Sequence, residues 1–267
     1  MTQWLKNRKL LIYQVSVGDP SELYKHCNAS VKAYAEAHGI DYKKQTTMKL
    51  CINPDPFTGN RSKNSCRLGG LPVFEKENAF AYLKDYDAVA IIDSDVYIRP
   101  DTKLNIFDEV DPEQYDFGGV VERDMPITNK YREKIINYSR MQYSSLRMVD
   151  WKWTMSGAEF MNMGIMVMNK SFMKYLDGQT PKEFICRDEF KDFVDGIGAW
   201  KWSTDQTLLN YFIKREKIRV KQLGFEWNAL FSAVKHDRIK EAHFIHFFLK
   251  DHLPNKGEDV KSLMKQI

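Results

Sequence analysis

Tyr86-Asp87-Ala88-Val89-Ala90-Ile91-Ile92-Asp93-Ser94-Asp95-Val96-Tyr97-Ile98 sets a short apolar run directly against two aspartates. Ala88 to Ile92 lacks polar alternation, the pattern of a strand covered on both faces. Such a strand gains nothing from carboxylates at its tip, because taking an anion out of water costs far more than a local contact returns. A divalent cation resolves that cost. Side chains two residues apart on an extended chain point the same way, so Asp93 and Asp95 can present oxygens to one point. Oxygen ligands favour a hard ion, Mg²⁺ or Mn²⁺, which keeps some water and bridges to phosphates. The plainer alternative is an acidic turn; the return to apolar residues at Val96-Tyr97-Ile98 favours a site.

Outward from this stretch, residues 9–17 (KLLIYQVSV) read as a first strand. Gly18-Asp19-Pro20-Ser21 turns the chain into a helix over about residues 22–37, which Gly39 stops. A second strand falls at 40–45. Residues 47–65 form a long loop, a candidate ligand cover. Residues 68–83 become helical after Pro72, and 87–98 form the organising strand. Further strands are expected at 115–121, 160–168, 218–222 and 242–248. This alternation predicts a Rossmann-like α/β fold in one domain, with a mostly parallel central sheet flanked by helices. Ligands of such sheets bind beyond the carboxyl ends of the strands, where Asp93 and Asp95 stand.

Several later residues resist a purely structural account. Residues 125–158 have no clean period but hold Tyr131, Tyr138, Tyr143, Trp151 and Trp153, either an irregular packing layer or an aromatic platform for sugar rings. Asn162 and Gly164 interrupt an apolar strand; the glycine points to a close approach by backbone or ligand, and the amide needs partners. Ser203 and Gln206 fit a capping box, which leaves Asp205 unexplained except as a favoured acid in a first helical turn. His243 and His246 face opposite sides of their strand, so at most one can enter a given site.

Bulk properties narrow the field. The chain has 267 residues and a formal net charge of +4, too mild to argue for nucleic acid. No apolar run approaches a membrane span, and the first residues lack an apolar signal region, so a cytoplasmic location is expected. Cys27, Cys51, Cys66 and Cys186 are scattered and read as free thiols. Four sequons, at Asn28, Asn60, Asn137 and Asn169, carry little meaning in that setting.

Taken together, these residues resemble the nucleotide-sugar glycosyltransferases of the GT-A fold, nearest the retaining galactosyl-, glycogenin- and xylosyltransferase-like group. The resemblance rests on Asp93-Ser94-Asp95 as the D-x-D, Lys76 on the preceding helix, Asn162-Met163-Gly164, Asp205-Gln206 and the late His246, in that order along the chain. It implies a UDP-sugar donor, a glycan or other hydroxyl acceptor, and Mn²⁺ or Mg²⁺ held by Asp93, Asp95 and His246. It further implies Ser16, Gly18, Lys76, Asn162, Lys250 and His252 around the donor, and Asp205 and Gln206 as catalytic residues. Residues 1–121 then form the donor half and 122–267 the acceptor-binding, metal-completing half. The family's late H-x-x-G-x-x-K-P is altered here: Leu249 stands for the glycine and His252 for the lysine, with Lys250 two positions early.

An inverting enzyme of the same fold would need a general base, with Asp205 or Glu159 the candidates. A sugar-phosphate nucleotidyltransferase would share the core, but it calls for a basic, glycine-rich loop after the first strand. Here Val15-Ser16-Val17-Gly18-Asp19-Pro20 has one glycine and no lysine or arginine. A lectin-like module would need the aromatic segment without the metal carboxylates or Lys76.

Overall fold

A computed structural model of the chain describes residues 8–59, 61 and 68–267. Eleven strands lie among them: β1 (Leu10–Val15), β2 (Asp41–Gln45), β3 (Ala88–Ile92), β4 (Val96–Ile98), β5 (Phe117–Val121), β6 (Trp153–Thr154), β7 (Gly157–Ala158), β8 (Met161–Asn169), β9 (Val220–Gln222), β10 (Ala229–Leu230) and β11 (Phe244–His246). The central sheet runs β2-β1-β3-β8-β5-β9. β2, β1 and β3 are parallel, as are β5 and β9, and β8 runs against both neighbours. The expected α/β architecture with a mostly parallel sheet is what the chain adopts.

Alternating side chains build one core on each face of this sheet. Leu10, Ile12, Ala88, Ala90, Ile92, Ile165 and Val167 pack on one side, against Leu23, Cys27 and Val31 of helix α1 (Glu22–His38). Leu11, Tyr13, Val89, Ile91, Met166 and Met168 pack on the other. All five residues of β3 and all nine of β8 are buried. Ser21 caps α1 by accepting the Tyr24 N–H, and Gly39 ends it at φ 64°. The outer strand β2 (DYKKQ) is polar and largely exposed, which discourages pairing with another chain.

The structure departs from the sequence expectation at two places. Residues 87–98 are two strands rather than one. Val96 N–H closes on the Asp93 carbonyl at 3.1 Å, and this turn carries the chain out of the central sheet. β4 then joins a second sheet ordered β10-β11-β4. Residues 125–158 are also more regular than their pattern suggested. Thr128 caps helix α2 (Asn129–Gln142), whose buried stripe is Ile135, Ser139 and Gln142. Two polar residues in a three-residue stripe hide the apolar period.

Pro72–Lys84 winds in tight 3₁₀ turns and buries Phe74, Phe80 and Leu83. Its Glu75 carboxylate is buried and accepts from the N–H groups of Lys49, Leu50 and Cys51 and from the Gln45 amide, which ties down the start of the long loop. Residues 60 and 62–65 of that loop, and Cys66, lie outside the described residues; Cys27, Cys51 and Cys186 are free. Asn28 and Asn169 are buried, so these two sequons have no room for a glycan. No helix among the described residues is long and apolar enough to cross a membrane.

Asp116, fully buried before β5, clamps the far side of the sheet. It accepts from Arg219 (2.8 and 2.9 Å), Lys174 (3.0 Å), Tyr175 (2.9 Å) and Ser171 (2.5 Å). Burial pushes its pKa up, but these partners outweigh burial and hold it below the ordinary aspartate value of 3.8. A lowered carboxylate pKa contributes stability that is present above 3.8 and lost as pH falls through the folded value. Asp116→Asn is therefore expected to cost about 2–3 kcal/mol at pH 7, the low end for a buried pair because the cations are half-exposed. Urea unfolding at pH 7 and at acid pH measures it, and the penalty should shrink in acid.

Candidate active site at the end of strand β3

Two backbone ladders converge on the aspartates. Asp93 N–H donates to the Gly164 carbonyl of β8 at 2.8 Å, and the Gln14 side chain of β1 donates to the Asp93 carbonyl at 3.2 Å. β11 pairs antiparallel with β4, so His246 lies opposite Val96, and Phe247 N–H donates to the Asp95 carbonyl at 2.9 Å. Sheet register thus delivers the imidazole to the carboxylates. His246 Nε2 is 3.1 Å from Asp95 Oδ1 and 4.0 Å from Asp93 Oδ2. One ligand atom from each of the three residues lies within 4.8 Å of the others, a spacing that suits a divalent cation. His243 is on the opposite face, its ring 5.2 Å from that of Trp227.

Lys76 enters the same group. Its Nζ is 2.8 Å from Asp93 Oδ1, 2.7 Å from Asp205 Oδ2 and 3.0 Å from the Met163 carbonyl. Burial disfavours this ammonium, but Asp205, Asp93 and Glu77 outweigh burial and lift its pKa above the ordinary lysine value. For Asp205 burial wins over the attraction of Lys76, and its pKa is raised. His246 is raised because Asp95 outweighs burial, and Asp95 is lowered by His246 despite burial.

Asp205 opens the helix Asp205–Arg215, but the cap is Thr204, whose hydroxyl accepts the Gln206 N–H at 3.2 Å. The capping box expected from Ser203 and Gln206 is not formed. Ser203 instead donates to the Thr204 carbonyl, and the Gln206 amide turns away to Glu122 and Asn162, each at 3.4 Å. Glu122 belongs to this site although the sequence reading passed it by. It stands just beyond β5, at a strand end like Asp93, and that position was the available signal. Its Oε1 accepts from Asn162 Nδ2 at 2.6 Å, and burial raises its pKa against these bonds. Asn228 was missed too, with no pattern in Trp227-Asn228-Ala229 to mark it; it bridges Asn162 and His246.

Gly164 meets the expectation of a close approach. A Cβ there would lie 2.3 Å from His246 Cε1 and 2.5 Å from Nδ1. The ring occupies the space a side chain would take.

Two cavities flank the group. The first, about 430 Å³, is lined by Ser16, Tyr24, Lys76, Asp93, Asp95 and Lys250, among others. Gly18 is not on its lining; at φ 83° it shapes the turn behind. Lys250 Nζ lies 3.2 Å from the Ser21 hydroxyl and 4.0 Å from the centre of the Tyr24 ring, so the early lysine reaches this cavity. His252 does not line it, and its ring is 3.4 Å from Lys134 Nζ. Leu249, where the resembling pattern has glycine, adopts φ 56°, the left-handed conformation glycine takes freely. The second cavity, about 380 Å³, is lined by Glu122, Tyr131, Tyr138, Asn162, Trp202 and Gln206, among others. Tyr143 and Trp151 are instead buried in the core. Glu159 pairs with Lys214 and lines a different cavity.

No protein-family model and no curated protein matches this chain. Solved structures do. A glycosyltransferase involved in the glycosylation of the major capsid of PBCV-1 superposes with a TM-score of 0.56 over 96% of this chain and 99% of its own, at 14% identity. Mouse xyloside xylosyltransferase 1 gives a weaker likeness, with a TM-score of 0.47, 12% identity, and 92% and 99% coverage. At 14% identity the likeness to the first of these is one of fold.

Gly164→Ala should displace the His246 ring and cost about 1–3 kcal/mol, the range for overpacking. In the double variant with His246→Ala the clash with the ring disappears and the contact with Asn162 Oδ1 at 2.9 Å is left, so the two penalties should fall short of adding. A denaturant-based double-mutant cycle reads this directly.

Proposed function

We propose that this protein is a glycosyltransferase that moves a sugar from a nucleotide-sugar donor, a UDP-sugar, to a hydroxyl of a glycan acceptor, with retention at the anomeric carbon. The observation that carries the reading is the grouping of Asp93, Asp95 and His246 with buried Lys76 in a cleft that opens beside a second, aromatic-edged cavity. The fold likeness to a glycosyltransferase supports it. Two hard carboxylate oxygens and one imidazole fit Mn²⁺ or Mg²⁺, which when bound supplies positive charge to the diphosphate leaving group.

The chain's own residues do the rest. The amino end of α1, with Ser21 and Tyr24 at the cleft, presents a positive dipole to phosphate, and Lys250 adds a cation beside it. Lys76 holds Asp93 and Asp205 in place. The Gln206 amide, standing between the cleft and the second cavity, positions the transferred sugar. Trp202 is 66% exposed at the second cavity and offers a face on which an acceptor sugar stacks.

Retention agrees with the engagement of both earlier base candidates, Asp205 with Lys76 and Glu159 with Lys214. Inversion is the second reading, and Glu122 favours it. This buried carboxylate lines the second cavity, burial raises its pKa, and its Oε1 alone takes the Asn162 and Gln206 amides.

Calorimetric titration with UDP should show binding at least about tenfold tighter with Mn²⁺ than without, and Asp95→Asn should remove the difference. Equal affinity in both conditions would sink the metal-bridged reading. Proton NMR of the first-formed glycoside decides stereochemistry. An α-configured donor should give an α-product, and a β-product would move the reading to Glu122 as base.

A further inference from the structure

One backbone N–H sets the chemistry of the metal-facing histidine through two side-chain amides. An N–H can only donate, and Gly164 N–H points at Asn162 from 3.0 Å, so the atom it meets is the amide oxygen, Oδ1. The amide nitrogen of Asn162 then faces Glu122 Oε1 at 2.6 Å, an acceptor. Asn162 Oδ1 has its second neighbour, an Asn228 amide atom, at 2.9 Å. That atom must donate, so it is Nδ2. The remaining Asn228 atom is Oδ1, and it lies 3.1 Å from His246 Nδ1. A carbonyl oxygen accepts only, so His246 Nδ1 carries a proton. Nε2 faces an acceptor too, Asp95 Oδ1 at 3.1 Å, so without a cation both ring nitrogens carry protons; Nε2, beside Asp95 and Asp93, is the nitrogen that gives up its proton to offer a lone pair to a cation.

We infer that Asn228, held by Asn162 on the Gly164 N–H, is a positioning residue that keeps His246 protonated at Nδ1 and aims Nε2 at the cation position. The burial of all three side chains keeps water from substituting for any link. The chain of contacts extends beyond the metal group, because Asn162 donates at its other end to Glu122 in the second cavity. This inference rests on the proposed metal site only in what Nε2 is used for; the proton placement follows from the hydrogen bonds alone.

The test uses the whole chain with ¹⁵N-labelled histidine. His246 Nδ1 should give the signal of a protonated ring nitrogen both without metal and with Mg²⁺. An unprotonated Nδ1 would overturn the assignment, whatever the variants do. Asn228→Ala should weaken Mn²⁺ binding by about tenfold or more in calorimetry, the usual cost of losing a ligand's orienting partner. If folded Asn228→Ala binds Mn²⁺ as the parent does, the positioning role is refuted. Should Asn228→Ala not fold, Asn228→Ser, whose shorter side chain withdraws the acceptor from His246 Nδ1, takes its place with the same expected loss and the same refuting result. A parent protein that ignores Mn²⁺ would refute the metal site, and the Nδ1 signal would still decide the amide chain.

Discussion

Buried negative charge governs this structure. Asp205, Glu77 and Glu122 are buried around the end of β3, and Asp93 and Asp95 stand partly exposed at the cleft beside them. Among the described residues Lys76 and His246 are the cations set against them. Lys76 joins four elements: its own 3₁₀ segment, the tip of β3, β8 through the Met163 carbonyl, and the first turn of the helix at Asp205. Removing that ammonium would leave Asp93 and Asp205 facing each other uncompensated, a cost of several kcal/mol. Glu77 is balanced by a different means. Neither of its carboxylate oxygens has a hydrogen-bond partner among the described residues, and burial with the nearby Asp205 drives its pKa well above the usual glutamate value.

Much of the fold is legible in the sequence because local signals and tertiary demands coincide. β1, β3 and β8 are apolar on both faces, and α1 carries its cap and its stop in plain view. The opposite facing of His243 and His246 follows from strand geometry alone. What escaped the sequence is set by contacts distant along the chain. The turn at Asp93 that splits residues 87–98 reflects the pairing of β4 with β11, about 150 residues later. Helix α2 hides behind a polar buried stripe. Ser203 and Gln206 satisfied a local rule, but Glu122 and Asn162 offered the Gln206 amide better partners in space.

Gly164 shows how a short motif compresses two physical requirements into one position. Its missing side chain makes room for the His246 ring, and its N–H orients the Asn162 amide. Alanine would keep the N–H and fill the space, so glycine is required by volume, not by backbone angle; Gly164 is not among the residues with positive φ.

Leu249 is different, since its backbone angle is the point. A leucine held at φ 56° stores about 1–2 kcal/mol that glycine would not. The residues on either side reach into separate compartments: Phe248 walls the second cavity, and Lys250 walls the first. Leu249 itself lines the second cavity, so three consecutive residues join the walls of both: a substitution at this one turn touches donor-side and acceptor-side space at once.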